Sequence, residues 1–291
     1  MDTLITGGAG FIGHNLWKKY GGFRVDDHSK GKREVDLEID CASEYFESWV
    51  DSIEPQHIEH LCGQSSNERS FYDPSNDFVR NVMTTRRLLS ACENYNVKSI
   101  TLASSMSAYG NNGDAKESDR CNPLSWYGRH KLMAEELLEE FSRKHPSVIC
   151  NSLRIYTCYG SDQDKDDMQQ GMISIYESMA EQGEITVRGS GDRIRNFIHV
   201  DDLCDGIALA VHRIKGNPYE VINMGTGVPR RVSEIIQEFD CPVEYVGETP
   251  DDLHTCNADM SKAVHLLGYI PKDQVLSYLK NSVSETPRSS T

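Results

Sequence analysis

Two side chains four residues apart, Tyr127 and Lys131, have the chemistry for proton transfer. They open a segment whose apolar residues recur at helical spacing as far as Phe141, so both are expected on one face of a helix. A phenol with an ordinary pKa of about 10 is a poor base at neutral pH, but an adjacent ammonium together with a bound, positively charged ring would favour the phenolate. The pair therefore predicts proton exchange with a substrate hydroxyl. Because such spacing is common on helix surfaces, its meaning depends on the rest of the chain.

A second chemical feature precedes this pair in the sequence. The segment Leu102–Gly110 reads LASSMSAYG, so an apolar run ends in several hydroxyl side chains. This pattern predicts a strand whose carboxyl end carries hydroxyls at the expected distance before the Tyr127 helix.

A glycine-rich turn stands at the start of the chain. It follows the apolar Leu4-Ile5, leads into a predicted helix and reads Gly7-Gly8-Ala9-Gly10-Phe11-Ile12-Gly13. Gly7 suits a tight turn, Gly10 lets the backbone approach a pyrophosphate, and Gly13 permits close packing of helix on strand. The turn predicts a dinucleotide-binding site that Phe11 and Ile12 also contact.

Asp26 stands nineteen residues after Gly7, at the end of the second apolar run. A carboxylate there can accept hydrogen bonds from an adenosine ribose, which favours NAD over NADP. Four nearby cations could instead meet a 2′-phosphate, although solvated loop positions suit them better: Arg24, Lys30, Lys32 and Arg33.

Short apolar runs alternate with longer amphipathic stretches through the first half of the chain, which predicts a doubly wound parallel α/β sheet of Rossmann type. We expect residues 1–160 to form a cofactor-binding domain, to which residues 195–225 return. An acidic run over 161–167 is interpreted as a solvated lobe boundary. Residues 161–291 then form mainly a smaller substrate lobe, with a loose polar tail over 281–291.

Composition limits the possible partners. The 291 residues carry a formal net charge of -15 and a pI near 5.1, which disfavours nucleic acids and anionic membranes. Nine cysteines without metal-type spacing are typical of reduced cytosolic thiols, and no apolar run suits a membrane span. We expect a cytoplasmic protein with no metal, nucleic-acid or membrane site.

From Leu4 to about Pro271 these motifs together resemble the extended short-chain dehydrogenase/reductase family, of the nucleotide-sugar epimerase type. The resemblance implies NAD as cofactor and a catalytic set of Ser105, Tyr127 and Lys131. Tyr127 and Lys131 would also contact the cofactor. Further cofactor-binding residues are implied by matches to the family's third-strand loop, its ribose-side asparagine and its serine-rich strand: Cys62, Gly63, Asn81 and Ser104. His60 is better interpreted as a packed strand residue than as a base.

The resemblance also implies a nucleoside diphosphate sugar as substrate. Arg195 matches a diphosphate-binding arginine, and Ser105 and Tyr127 would contact the sugar. Two departures concern substrate contacts: Thr157 stands where the family commonly has asparagine, and residues 248–252 lack the usual second phosphate-binding arginine. The nucleotide base cannot be assigned.

Sugar 4-epimerisation through a transient 4-keto sugar is the activity that the resemblance favours. Dehydratase relatives carry an acidic pair, and decarboxylase relatives an acidic residue, where this chain has Met106-Ser107. A 4-reductase or dehydrogenase is the alternative enzyme, and a non-catalytic dinucleotide sensor is the alternative of another class. The resemblance further implies a homodimer formed through the helices predicted over Phe78–Tyr95 and Tyr127–Phe141.

Overall fold

The computed structural model describes residues 2–27, 33–168, 171–247 and 254–285. The strands are β1 Thr3–Thr6, β2 Phe23–Asp26, β3 Leu37–Glu38, β4 His57–His60, β5 Ser99–Ser105, β6 Asn112–Ala115, β7 Ile149–Ile155, β8 Thr157–Tyr159, β9 Ile185–Arg188, β10 Ile194–His199, β11 Tyr219–Met224, β12 Pro229–Arg231, β13 Val243–Val246 and β14 Cys256–Ala258. The α-helices are α1 Phe11–Tyr20, α2 Glu44–Ile53, α3 Asn67–Tyr72, α4 Pro74–Phe78, α5 Thr84–Cys92, α6 Trp126–Lys144, α7 Met172–Glu181, α8 Val200–Val211, α9 Val232–Ile236, α10 Ser261–Leu267 and α11 Val275–Glu285.

A parallel sheet with the strand order β11-β7-β5-β4-β1-β2-β3 forms the centre of the molecule. Every residue of β5 is buried, as expected for a strand covered on both faces. The order reverses beside β1, and in sheets of this type ligands bind at the carboxyl ends of the strands near that point. The predicted α/β Rossmann-type fold is confirmed.

Helices cover both faces of this sheet. The alternation of Leu4 and Ile5 in β1 sends one side chain to each face. Leu4 belongs to a core with α2, α5 and α6, and Ile5 to a core with α1, α8 and α10. The edge strand β11 comes from late in the chain and pairs in parallel with β7.

Three smaller sheets are built from β6, which precedes β7, and from strands that follow β7 in the chain: β12-β10-β8, β13-β9 and β14-β6. Their largest apolar core joins side chains of β8, β9 and β10 to α7, α9 and α11, with Tyr159, Phe197 and Val187 almost fully buried. Several short strands can therefore contribute side chains to a site beside the main sheet.

Two predicted elements differ from the structure. The single helix predicted over Phe78–Tyr95 is broken: α4 ends at Phe78, a wider π-turn covers Val79–Met83, and α5 follows. The polar tail predicted from residue 281 begins later, because α11 continues through Glu285; residues 286–291 lie outside the described residues.

All nine cysteines are free thiols. No helix in the described part of the chain is long and apolar enough to cross a bilayer.

Candidate active site

A cleft of about 720 Å³ opens at the carboxyl ends of β1, β2, β4, β5 and β7. It contains the predicted residues Gly7, Gly10, Phe11, Ile12, Gly13, Asp26, Cys62, Gly63, Ser104, Ser105, Tyr127, Lys131 and Thr157. The fold therefore brings together side chains from distant parts of the chain that the sequence could group only by motif. Asn81 and Arg195 are not among the residues that line this cleft.

The glycine turn shapes one end of the cleft. Gly7 has a φ of 71°, and a Cβ at this position would lie 2.7 Å from the backbone nitrogen of Cys62. A Cβ on Gly13 would lie 2.3 Å from the carbonyl oxygen of Gly7, so α1 packs closely on β1. Gly10 precedes α1 without a side-chain cap, which leaves the positive end of the helix facing the cleft. This geometry suits a pyrophosphate.

Asp26 lies at the end of β2 and lines the same region. Its Oδ2 accepts a hydrogen bond from the Ala9 amide at 3.0 Å, so the carboxylate is fixed beside the glycine turn. Arg33 also lines the cleft and donates to the Ala9 carbonyl oxygen at 3.1 Å.

Of the other cations near Asp26, Arg24 is corrected by the structure. Its guanidinium stacks over Trp17 at 3.6 Å from the ring centroid, and the residue is buried outside the cleft lining, so it does not meet a 2′-phosphate there. Lys30 and Lys32 lie outside the described residues.

Two serine caps position the catalytic candidates. Ser105 ends β5, and its hydroxyl accepts a hydrogen bond from the Ser107 amide at 3.1 Å. Ser125 caps α6 by accepting from the Gly128 amide at 3.1 Å, which places Tyr127 in the first helical turn. Ser105 and Tyr127 are hydrogen-bonded to each other. Lys131 lies one turn further along α6, and its Nζ donates to the Ala103 carbonyl oxygen at 2.9 Å.

Burial dominates the electrostatics of this set. It raises the pKa of Tyr127 to about 12, against the lowering effect of the hydrogen bond with Ser105. It also lowers the pKa of Lys131 to about 8, which the carboxylate of Asp77 opposes. The Lys131 ammonium lies 5.8 Å from the Tyr127 ring centroid, and the ammonium alone does not offset the effect of burial on the phenol. The protein's own groups thus keep Tyr127 protonated at neutral pH.

Asn81 lies directly behind Gly63. A Cβ on Gly63 would come within 2.5 Å of the Asn81 Oδ1 and 3.2 Å of the Lys131 Nζ, so only glycine leaves room at this wall. The Asn81 Oδ1 is buried and has no hydrogen-bond partner among the described residues. His60 is also a packed residue: its Nδ1 lies 2.8 Å from the Thr6 hydroxyl, and burial lowers its pKa to about 3.

A buried ion pair that the sequence analysis missed joins the catalytic helix α6 to β7, and the same carboxylate also holds β5. Glu135, one turn after Lys131, accepts two hydrogen bonds from the Arg154 guanidinium at 2.9 and 2.6 Å. Ser104 also donates to Glu135, so the Ser104 hydroxyl serves this network although the residue lines the cleft. The i, i+4 spacing of Lys131 and Glu135 was the available sequence signal for Glu135.

The substrate side is less complete. Thr157 lines the cleft, and its hydroxyl is buried without a hydrogen-bond partner among the described residues. Arg195 is only 3% exposed in β10 and donates to the Ile194 carbonyl oxygen. Burial, and then the nearby Arg193 guanidinium, lowers the pKa of Arg195 to about 10. The segment 248–252, without a second arginine, lies outside the described residues.

The acidic run after Gly160 is a half-exposed loop at the rim of the cleft. Asp162 pairs with Lys18 at 2.8 Å and Asp167 with Arg69 at 2.5 Å, while Gln163 and Asp164 line the cleft. These contacts were not predicted from the sequence, and the lobe boundary at this run stays a prediction.

Comparisons with known proteins agree with this geometry. The model of the NAD dependent epimerase/dehydratase family matches residues 3–225. A solved structure of UDP-glucose 4-epimerase with UDP-glucose from Thermotoga maritima is 30% identical, with 98% of each chain covered and a TM-score of 0.88.

Two further relatives mark the range of reactions. The UDP-glucose 4-epimerase of Thermus thermophilus, in complex with NAD, is 25% identical, with 100% of each chain covered and a TM-score of 0.88. UDP-glucuronic acid decarboxylase 6 of Arabidopsis thaliana is 27% identical over 94% of this chain and 84% of its own length. Similarity alone thus does not separate epimerisation from decarboxylation.

Proposed function

Because the chain belongs to the NAD-dependent epimerase/dehydratase family, we propose that it is a 4-epimerase of nucleoside diphosphate sugars that works through a transient 4-keto sugar. The observation that carries the proposal is a contacting Ser105 and Tyr127, with Lys131 one turn away, in a cleft where Met106 and Ser107 follow Ser105. This set can move one proton at a sugar hydroxyl without a second acid or base.

NAD fits the cleft on three observations. The glycine turn leaves a side-chain-free surface before α1, the Asp26 carboxylate stands beside it, and the Asn81 Oδ1 is a buried acceptor without a partner among the described residues, behind Gly63. Gly7 to Gly13 would hold the pyrophosphate, Asp26 the adenosine ribose, and Cys62, Gly63, Asn81 and Lys131 the nicotinamide end. When bound, NAD supplies the hydride acceptor and donor for the sugar carbon.

Each catalytic side chain then has a defined role. Tyr127 takes the proton of the hydroxyl at sugar carbon 4 and later returns it. Ser105, hydrogen-bonded to Tyr127, donates to the same sugar oxygen while that oxygen is a carbonyl. Lys131 orients a ribose and supplies positive charge; since burial raises the pKa of Tyr127 to about 12, a second positive charge in the cleft must assist it.

Elimination and decarboxylation would need a further carboxylate beside the reacting carbon. Among the described residues that follow Ser105 in the cleft, Met106 and Ser107 carry none, and the carboxylates of the cleft belong to Asp26, Asp27, Asp162 and Asp164. Asp26 and Asp27 lie at the β2 end, Asp162 is paired with Lys18, and Asp164 is exposed and accepts a hydrogen bond from the Asp166 amide at 2.9 Å. This distribution supports epimerisation over the reaction of the decarboxylase relatives.

The experiment is to incubate the protein with UDP-, GDP- and dTDP-sugars, without added reductant, and to follow each sugar by proton NMR. We expect one sugar to convert to its 4-epimer and the mixture to reach the same equilibrium from either epimer. Conversion that consumes stoichiometric NADH or NADPH would instead identify a reductase or dehydrogenase. Loss of water or carbon dioxide would overturn the argument from Met106 and Ser107, and binding of NAD without any sugar conversion would indicate a sensor.

Arg195 and Thr157 are the proposed substrate contacts. A guanidinium can bind a diphosphate through paired charge-assisted hydrogen bonds, and like charge from Arg193 would favour an anion at this position. The Thr157 hydroxyl, which has no partner among the described residues, offers a hydrogen bond to the sugar in the cleft.

We also propose a homodimer built on α5, α6 and the π-turn between α4 and α5. Trp126 and Met133 are two turns apart on α6 and are 49% and 39% exposed, and Val79 is 40% exposed on the π-turn. Burying these side chains against a second copy would stabilise the dimer. Light scattering at micromolar concentration should give twice the chain mass, and a monomer would exclude the dimer.

The division into two lobes remains part of the proposal. Strand β11 at the edge of the main sheet and the packing of α8 on α1 support the return of residues 195–225 to the cofactor lobe. NAD should then protect amides of residues 1–160 from hydrogen exchange, whereas UDP should protect amides of residues 161–194. The same protection pattern with both ligands would contradict the division.

A further inference from the structure

A buried carboxylate that the sequence analysis did not single out lies beside the catalytic helix. Asp77, at the end of α4, is 1% exposed and accepts a hydrogen bond from Gln64 at 2.6 Å and another from Asn81 at 3.1 Å. Its second oxygen, Oδ2, lies 2.5 Å from the Nδ1 of His130 on α6. One carboxylate thus joins the loop after β4, the π-turn and the catalytic helix.

The imidazole of this pair is held as firmly as the carboxylate. His130 is 5% exposed, stacks on Trp126 at 5.8 Å and meets the edge of Phe78 at 5.5 Å between ring centroids. It stands next to Lys131 and three residues after Tyr127 on α6. Any movement of the Asp77–His130 pair would therefore move the first turns of the catalytic helix.

The partners of Asp77 reach the cofactor end of the cleft. Gln64 lines the cleft, and Asn81 lies behind Gly63, with its Oδ1 on the side of the Lys131 Nζ and without a partner among the described residues. Because the Asn81 amide nitrogen donates to Asp77, its oxygen must face the other way. The carboxylate thus fixes which atom of Asn81 is presented.

The charge of Asp77 also acts on both catalytic groups. Burial raises the pKa of Tyr127, and the Asp77 carboxylate raises it further. Burial lowers the pKa of Lys131, which Asp77 opposes first and Cys62 and Glu135 after it. Among the other titratable groups near Lys131, Glu135 is already paired with Arg154. His60, in β4, is kept neutral by burial.

We propose that Asp77 and His130 form a positioning unit for the catalytic pair Tyr127 and Lys131. This unit orients Asn81 and Gln64 and keeps a negative charge behind the catalytic pair. It thereby sets the pH range of turnover. The inference rests on the proposed epimerase function for its kinetic part only. Neither Asp77 nor His130 lines the cleft, so they act through Tyr127 and Lys131.

Asp77→Asn isolates the charge, because an asparagine amide can accept from Gln64 and Asn81 with its oxygen and donate to His130 with its nitrogen. Loss of one charge at this range should lower the ionisation midpoint of Tyr127 by about one pH unit. The midpoint is measured by ultraviolet absorbance of tyrosinate, as the difference between each protein and its Tyr127→Phe counterpart. Both limbs of the kcat/KM profile should move toward lower pH together, since Lys131 loses the same support.

Two more variants complete the test. Asp77→Ser removes the charge and leaves a smaller polar side chain, so both midpoints should again fall. Asp73→Asn changes an exposed aspartate on the preceding turn and should move neither. If Asp77→Asn fails to fold, Asp77→Ser still tests the inference.

The outcomes separate this inference from the proposed function. A uniform loss of turnover with unchanged limb positions and an unchanged tyrosine midpoint would show that the pair is only structural. A shifted midpoint in a protein that converts no sugar would support the inference and overturn the epimerase. Normal epimerisation with no shift would support the epimerase and overturn the inference.

Discussion

The cofactor end and the substrate end of the cleft are built in different ways. At the cofactor end the essential features are backbone features of the main parallel sheet: the turn at Gly7, the close packing at Gly13 and the end of β2 at Asp26. At the proposed substrate end they are side chains on short strands: Thr157 on β8, which lines the cleft, and Arg195 on β10, which is buried outside the cleft lining.

This difference explains where the cleft departs from the pattern of its family. A Cβ at Gly13 would meet backbone at 2.3 Å, so few substitutions fit the cofactor end. Thr157 stands in place of an expected asparagine within β8, where the residue lines the cleft and its hydroxyl is buried without a partner among the described residues. Backbone geometry therefore restricts substitution more at the cofactor end than at Thr157.

Removing the phenolic hydroxyl should have the largest effect. Tyr127→Phe should lower turnover by at least roughly 100-fold, the usual loss for a general acid/base, and leave NAD binding nearly intact because the glycine turn and Asp26 are unchanged. Turnover is measured by activity assays, and NAD binding is measured by calorimetry. Tyr45→Phe, at a residue 83% exposed, is the matched control. Near-normal turnover would remove Tyr127 from the mechanism.

Glu59 tests the stability of the sheet beneath the cofactor end. It lies in β4 between Ile5 and Thr101, is 6% exposed, and burial raises its pKa to about 7. A raised folded-state pKa gives stability that is complete below the unfolded pKa and is lost as pH rises through the folded pKa. The free energy of unfolding should therefore fall by roughly 3–4 kcal/mol between pH values below the unfolded pKa and values above the folded one.

Glu59→Gln should abolish that loss and raise the melting temperature on the alkaline side. Glu139→Gln, on the exposed face of α6, should leave the pH dependence as it is in the natural sequence. If the free energy of unfolding of the natural protein and of both variants depends on pH in the same way, the ionisation of Glu59 does not affect stability.

Arg195 tests the substrate end. Arg195→Lys keeps the charge but removes the paired hydrogen bonds, so KM for the nucleotide sugar should rise about tenfold while kcat changes little. Arg188→Lys, at an exposed side chain in β9, provides the comparison. An unchanged KM would mean that the diphosphate binds elsewhere and that Arg195 serves only the packing of β10.

Asp26 should give the smallest effect, on cofactor choice. The natural protein should bind NAD more tightly than NADP, since the carboxylate repels a 2′-phosphate, and Asp26→Asn should narrow that preference by less than about tenfold. The asparagine oxygen can still accept from Ala9. Equal affinities in the natural protein, measured by calorimetry, would indicate that Arg33 outweighs Asp26.

The sequence predicts the features of the site that are local in the chain better than those that depend on tertiary packing. The glycine turn, Asp26 and the Tyr127–Lys131 spacing are local patterns, and the structure places all of them in one cleft. Asp77 and His130 are 53 residues apart, and neither interrupts its helical pattern, so their contact could not be predicted. The π-turn over Val79–Met83 and the ion pairs of Asp162 and Asp167 likewise depend on tertiary packing.

The most direct test of the account is the fate of the hydrogen at sugar carbon 4. A UDP-sugar carrying deuterium at that carbon should be converted to its 4-epimer with the label retained at carbon 4, because the hydride is removed and returned within one catalytic cycle. Run in ordinary water without reductant and followed by NMR, the reaction should show no exchange of carbon-bound hydrogen with solvent. Loss of the label from carbon 4, or conversion only when a reduced cofactor is supplied, would contradict a hydride cycle that is closed between the sugar and NAD.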